Sequence, residues 1–198
     1  AFLPAVPAAF VASAADAQVV YTNVADLKVF VTPSTPNKVF FDLGSGGAQG
    51  SAQFNSTFSG VDFYLWAAGS TTTPTPRILG YPNTNRVAKS TAGNYTKIFS
   101  SGASINSGAS WIISAPYFNT SGVNDADWPT NTTGFLGLRV DQGSSNFIYG
   151  WAQVTLGADS SLTLLDFAYE QTVNTAILAG AIPEPSTNAA IAGLLAGC

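Results

Sequence analysis

The chain has 198 residues, of which 9% are charged, enough for one domain whose core needs neither disulfides nor metals. Eleven acidic against seven basic residues leave a net charge of −4, which disfavours nucleic acid as a partner. Histidine is absent and there is a single cysteine. These counts exclude the usual Ser-His-Asp and Cys-His nucleophile arrangements, an internal disulfide and a thiolate metal cluster.

Residues 1–17, AFLPAVPAAFVASAADA, are an apolar N-terminal segment with no basic residue. Ala12-Ser13-Ala14 and Ala15-Asp16-Ala17 fit the small-x-small cleavage pattern, although the basic n-region is missing. The segment reads as a signal-peptide remnant or as a docking arm that packs on the domain or on a neighbour. Either way, the domain is expected to occupy residues 18–181.

From Gln18 onward, Val, Thr, Phe, Tyr and Ile dominate, while Glu and Lys are scarce, a bias toward strands. QVVYTNV, LKVFVTP and NKVFFDLG are strand candidates ending at a glycine loop, residues 44–51. In AQFNSTFSGVDFYLWAAG, Phe63 and Leu65 fall on one face and Tyr64 and Trp66 on the other. Residues 70–86 are rich in Pro, Thr and Asn and read as a long surface loop. YTKIFSSG and ASWIISAPYF are further strand candidates, and residues 119–134 read as loop. GFLGLRV, NFIYGWAQVTL and SLTLLDFAYE, separated by turns at Asp141-Gln142-Gly143 and Gly157-Ala158-Asp159, form an antiparallel meander. No amphipathic helix of ordinary length is present. The expected fold is all-β: an antiparallel β-sandwich or jelly roll with apolar N- and C-terminal arms.

The meander and the tail behind it carry a family likeness. IPEPST followed by an apolar run resembles the PEP-CTERM sorting signal of exopolysaccharide-producing Gram-negative bacteria, through Pro183, Glu184, Pro185, Ser186 and Thr187. The block from Phe135 to Pro185 is also similar to the last domain of many such proteins. The resemblance implies export to the cell surface or extracellular space, and processing by exosortase, a membrane-embedded transpeptidase-like enzyme. Family members carry a transmembrane helix after the motif and then an Arg-rich end. A spanning helix needs ~20 apolar residues, whereas Ala189 to Cys198 supplies ten residues and no basic cluster follows. Residues 182–198 therefore read as a truncated sorting tail with no permanent membrane span. Cys198 is a candidate for lipidation or crosslinking.

Among chemistry-bearing residues, Asn124, Asp125 and Asp127 offer oxygen ligands suited to Ca²⁺, but without the glycine and distal Glu of an EF-hand loop. An Asx turn on a solvated loop is the favoured reading of them, so no cofactor is expected beyond that one candidate. The acidic residues are mostly at turns, where Asp caps the backbone, and no enzymatic activity is expected. Trp66, Trp111, Trp128 and Trp151 are candidate carbohydrate platforms. Trp128, in a polar loop beside Pro129, is expected to be the exposed one; Trp111 and Trp151 read as core. Functionally, the sequence points to a non-enzymatic cell-surface or matrix structural protein that self-associates through its terminal arms into filaments. A polysaccharide-binding module of the extracellular matrix is the alternative.

Overall fold

The computed structural model of the chain describes residues 18–30, 37–44, 50–55, 57–69, 74–91, 93–113, 116–118 and 128–183. The residues 1–17, most of the sorting tail, and the 119–127 loop with its Asn124, Asp125 and Asp127 lie outside the described residues, as does Cys198. No helix among the described residues is long and apolar enough to cross a membrane.

Thirteen strands form an all-β sandwich: β1 (Val19–Val29), β2 (Lys38–Asp42), β3 (Ser51–Phe54), β4 (Phe63–Gly69), β5 (Pro74–Gly80), β6 (Arg86–Ala88), β7 (Ile98–Phe99), β8 (Ser104–Ile105), β9 (Trp111–Ile112), β10 (Thr132–Asp141), β11 (Phe147–Leu156), β12 (Leu162–Glu170) and β13 (Ile177–Leu178). The larger sheet has seven strands in the order β1-β12-β11-β10-β6-β9, with β7 also paired to β10. A four-stranded sheet, β3-β2-β4-β5, packs against it, and β13-β8 form a small ladder. All strand pairings are antiparallel. The meander of β10, β11 and β12 is the one expected from its turns. Residues 74–80, read as loop from their prolines, are instead the strand β5. Pro is compatible with a strand at a sheet margin, and the β5 apolar core residue Ile78 pairs with Leu65 of β4.

The main core lies between the sheets. Val39, Phe41, Phe63, Leu65 and Ile78 of the smaller sheet meet Leu136, Leu138, Ile148, Val154, Leu164 and Phe167 of the larger one. Phe41 and Phe167 bring their rings to 5.5 Å across the interface. The alternation in β12 changes phase on the way: Leu162 and Leu164 point inward, then Phe167 and Tyr169. Val154 pairs with Leu164 and Gln153 with Asp166, leaving Leu165 as the extra residue of a bulge. One unpaired residue restores a pattern that strict alternation would have inverted.

The outer face of the larger sheet is also covered. Tyr149, Trp151 and Ala168 pack with Phe99, Ile105, Ile177 and Ala179 from the short strands and the segment after β13. This is why both faces of β11 are apolar. Gly137, opposite Trp151 in the ladder, admits that cover: a Cβ there would lie 2.9 Å from Phe99 Cε2 and 3.0 Å from Ala88 Cβ. Truncating the inter-sheet contact by Phe167→Ala is expected to lower stability by about 3–5 kcal/mol, read from the urea midpoint at unchanged m-value.

Candidate functional site

The outer face of the four-stranded sheet gathers aromatic and cationic side chains in rows. Because directly opposed residues of an antiparallel ladder share a face, the registers Lys38↔Trp66 and Trp66↔Arg77 set one row. Arg77 bridges in turn to Tyr117, whose segment runs beside β5 through the Phe118 N–H donated to the Pro76 carbonyl at 3.0 Å. The row Lys38-Trp66-Arg77-Tyr117 crosses the strands over roughly 14 Å, at the usual strand spacing. A parallel row holds Phe40, Tyr64 and Leu79, with the Phe40 and Tyr64 rings at 5.2 Å.

The cations lie on the rings. Lys38 Nζ sits 5.2 Å from the Tyr64 centroid and 5.3 Å from that of Trp66. The Arg77 guanidinium is 4.2 Å from Tyr117 and 5.8 Å from Trp66. Such contacts contribute about 0.5–1 kcal/mol at exposed sites and neutralise no charge. Among the described residues, the ion pair within 4.0 Å is Lys28–Asp159, so neither Lys38 nor Arg77 has a carboxylate partner. Tyr64, Trp66, Arg77 and Tyr117 are all half-buried. Trp66 Nε1 and Arg77 Nε are shielded and have no acceptor among the described residues.

Trp128 corrects an expectation. It is fully buried, packed edge-on against Phe118 at 5.0 Å with its Nε1 donating to the Thr132 carbonyl at 3.3 Å. The turn into β10 folds it inward, because an indole with a backbone acceptor can be buried satisfied. Trp151 is core as expected, Trp111 is half-buried, and Trp66 is the indole on the open face. Of the sorting-motif residues, Pro183 is described and exposed; Glu184, Pro185, Ser186 and Thr187 lie outside the described residues. Lys38 and Arg77 were missed by sequence reading. The signal was the alternation Arg77-Ile78-Leu79, masked by the flanking prolines.

A carboxyl pair, Asp62 buried and Asp42 half-buried, sits at the end of the smaller sheet. Asp62 accepts hydrogen bonds from Leu43 N–H at 3.1 Å and from Asn85 Nδ2 at 2.9 Å. Asn85 in turn accepts the Asp141 N–H at 3.0 Å, tying the two sheets together. Asp42 accepts from Gly44 N–H at 2.7 Å. Burial first, then the charge of Asp42 and a hydrogen bond with it, push Asp62 up to about 7 against the hydrogen bonds from Leu43 and Asn85. The oxygens of both carboxyls are engaged with backbone and each other, which is the arrangement of a structural clasp. Glu170 is likewise structural: fully buried, it accepts N–H bonds from Gln18 at 3.1 Å and Thr172 at 2.9 Å. Among the described residues no group of three or more Asp, Glu or Cys side chains is placed to hold a metal ion. Comparison of the chain with protein-family models, characterised proteins and solved structures finds no match.

Two outcomes test this assignment. Folded Asp62 holds its proton more tightly than the unfolded chain, so its contribution is full below pH 4 and is lost as pH rises toward 7. Asp42→Asn keeps an oxygen for Gly44 and turns an N–H toward Asp62; burial still raises Asp62 in this variant, so the slope is expected to shrink but persist, and the variant to melt above wild type at pH 8, by thermal denaturation across pH. Trp128→Ala is expected to cost about 3–5 kcal/mol in chemical denaturation while leaving ligand binding at the aromatic face unchanged.

Proposed function

We propose that the protein is a non-enzymatic, exported component of a cell surface or extracellular matrix that holds polysaccharide on the outer face of its four-stranded sheet. The observation that carries this reading is the in-register row Lys38-Trp66-Arg77-Tyr117 with Tyr64 beside it. Aromatic rings fixed on a sheet offer flat apolar surface to the C–H faces of sugars at low entropic cost, since the sheet already orders them. The flanking Lys and Arg supply donors for hydroxyl and carboxylate oxygens. The Pro183-Glu184-Pro185 motif and the apolar residues 1–17 support export, with exosortase as the processing partner.

Exopolysaccharide is thus the partner that the geometry favours over the filament reading, whose terminal arms lie outside the described residues. Affinity electrophoresis in gels containing neutral or acidic glycans tests the proposal. Wild type should be retarded, and Trp66→Ala combined with Tyr64→Ala should weaken binding by roughly 10- to 100-fold, on the scale of the 1–3 kcal/mol of lost ring contact. A mobility indifferent to every glycan, or retardation unchanged in the double variant, would remove the reading.

A further inference from the structure

The opposite side of the sandwich carries a feature that the aromatic rows do not use. In the β10–β6 ladder Arg139 stands directly opposite Arg86, on the face that also bears Phe135, Tyr149 and Trp151. Like charges directly opposed in a ladder destabilise it, yet no carboxylate among the described residues is within 4.0 Å of either guanidinium. Burial, and next the charge of Arg86, lower the Arg139 pKa. Opposing these are Asp141 through space and Tyr149 through space and a hydrogen bond. The Asp141 carboxylate also accepts the Gly143 N–H at 2.8 Å.

The rings around Arg139 hold it in place. Its guanidinium carbon lies 4.2 Å from the Phe147 centroid and 5.1 Å from that of Trp111. Arg139 Nε and Trp111 Nε1 are shielded and have no acceptor among the described residues. Two adjacent guanidinium forks, one clamped between aromatic rings and neither paired with an acid, match a planar oxyanion that takes parallel N–H bonds. A carboxylate has that planarity, and a polymer of uronic acids presents it repeatedly. Among the described residues no carboxylate pairs with either guanidinium at contact distance, and such a polymer presents one at each sugar.

We propose that Arg86 and Arg139 form a carboxylate-binding site for uronic-acid polysaccharide, so that one molecule bridges two polymer strands, one on each outer face of the sandwich. The bridging rests on the aromatic-face reading above; the carboxylate site stands without it. Because Arg86 opposes a like charge, Arg86→Gln is expected to leave the unliganded protein as stable as wild type or more so, while weakening the site.

The test is a set of titrations of the full chain and its Arg86→Gln and Trp66→Ala variants. The probes are an oligogalacturonate, a neutral cello-oligosaccharide of equal length, and dextran sulfate. The carboxylate site predicts that Arg86→Gln lowers oligogalacturonate affinity about 10-fold or more, as for a lost charge-assisted hydrogen bond, without changing affinity for the neutral sugar. Trp66→Ala reports the aromatic face through the neutral sugar, so the two readings fail separately. Light scattering with polygalacturonate should show wild type cross-linking the polymer and both single variants failing to. The proposal is overturned if Arg86→Gln binds oligogalacturonate like wild type, or if it melts lower when unliganded. Dextran sulfate binding that depends on Arg86 as strongly as galacturonate binding does would overturn the carboxylate assignment. Cross-linking that survives in Arg86→Gln would overturn the bridging.

Discussion

The pairing of β11 between β10 and β12 places Ile148, Ala152 and Val154 against the smaller sheet, and Tyr149 and Trp151 against the short outer strands. A strand buried on both sides can accept no register error, since a slip of one residue exchanges every side chain between two differently shaped surfaces. The rest of the molecule is arranged around that demand. The bulge at Leu165 re-phases β12 so that Phe167 reaches Phe41, and Gly137 thins β10 so that Phe99 can lie over it. The smaller sheet, by contrast, meets the core with one face and leaves Tyr64, Trp66 and Arg77 half-buried on the other.

Charge follows a division of labour that net charge conceals. Five of the described acids accept backbone N–H groups: Asp42 from Gly44, Asp62 from Leu43, Asp141 from Gly143, Asp159 from Ser161 and Glu170 from Thr172. Turns in a Gly- and Ser-rich sequence need acceptors, and short carboxylates provide them. Lys38, Arg77, Lys97 and Arg139 rest over aromatic rings instead. An acidic protein thereby displays cations whose charge is not cancelled at contact distance, the condition for recognising an acidic ligand locally.

The sandwich was legible in the sequence wherever period-two alternation met turn residues, as in the Asp141-Gln142-Gly143 and Gly157-Ala158-Asp159 hairpins. It was not legible at β5, because Pro74 and Pro76 speak for a loop locally while pairing with β4 decides for a strand. Exposure failed in the same way at Trp128, where the neighbours were polar in sequence but Phe118 was waiting in space. The aromatic rows were half visible: Tyr64 and Trp66 alternate with core residues, but their meeting with Lys38, Arg77 and Tyr117 depends on registers between segments distant in sequence. The Asp42–Asp62 clasp and the Arg86–Arg139 pair are products of such registers too, with no local signature.

The indole of Trp151 donates to the Ala181 carbonyl at 3.2 Å, and with the β13–β8 ladder and the Ala179 N–H donated to Ala103 it ties down the end of the described chain. It holds the chain against the outer face of the larger sheet as far as Ala181, on the face that also carries Arg86 and Arg139. The segment after β13 and the Trp66 row therefore lie on opposite sides of the sandwich. The two outer faces are thus unequal: one is overlaid by the end of the described chain, the other is left to its own side chains.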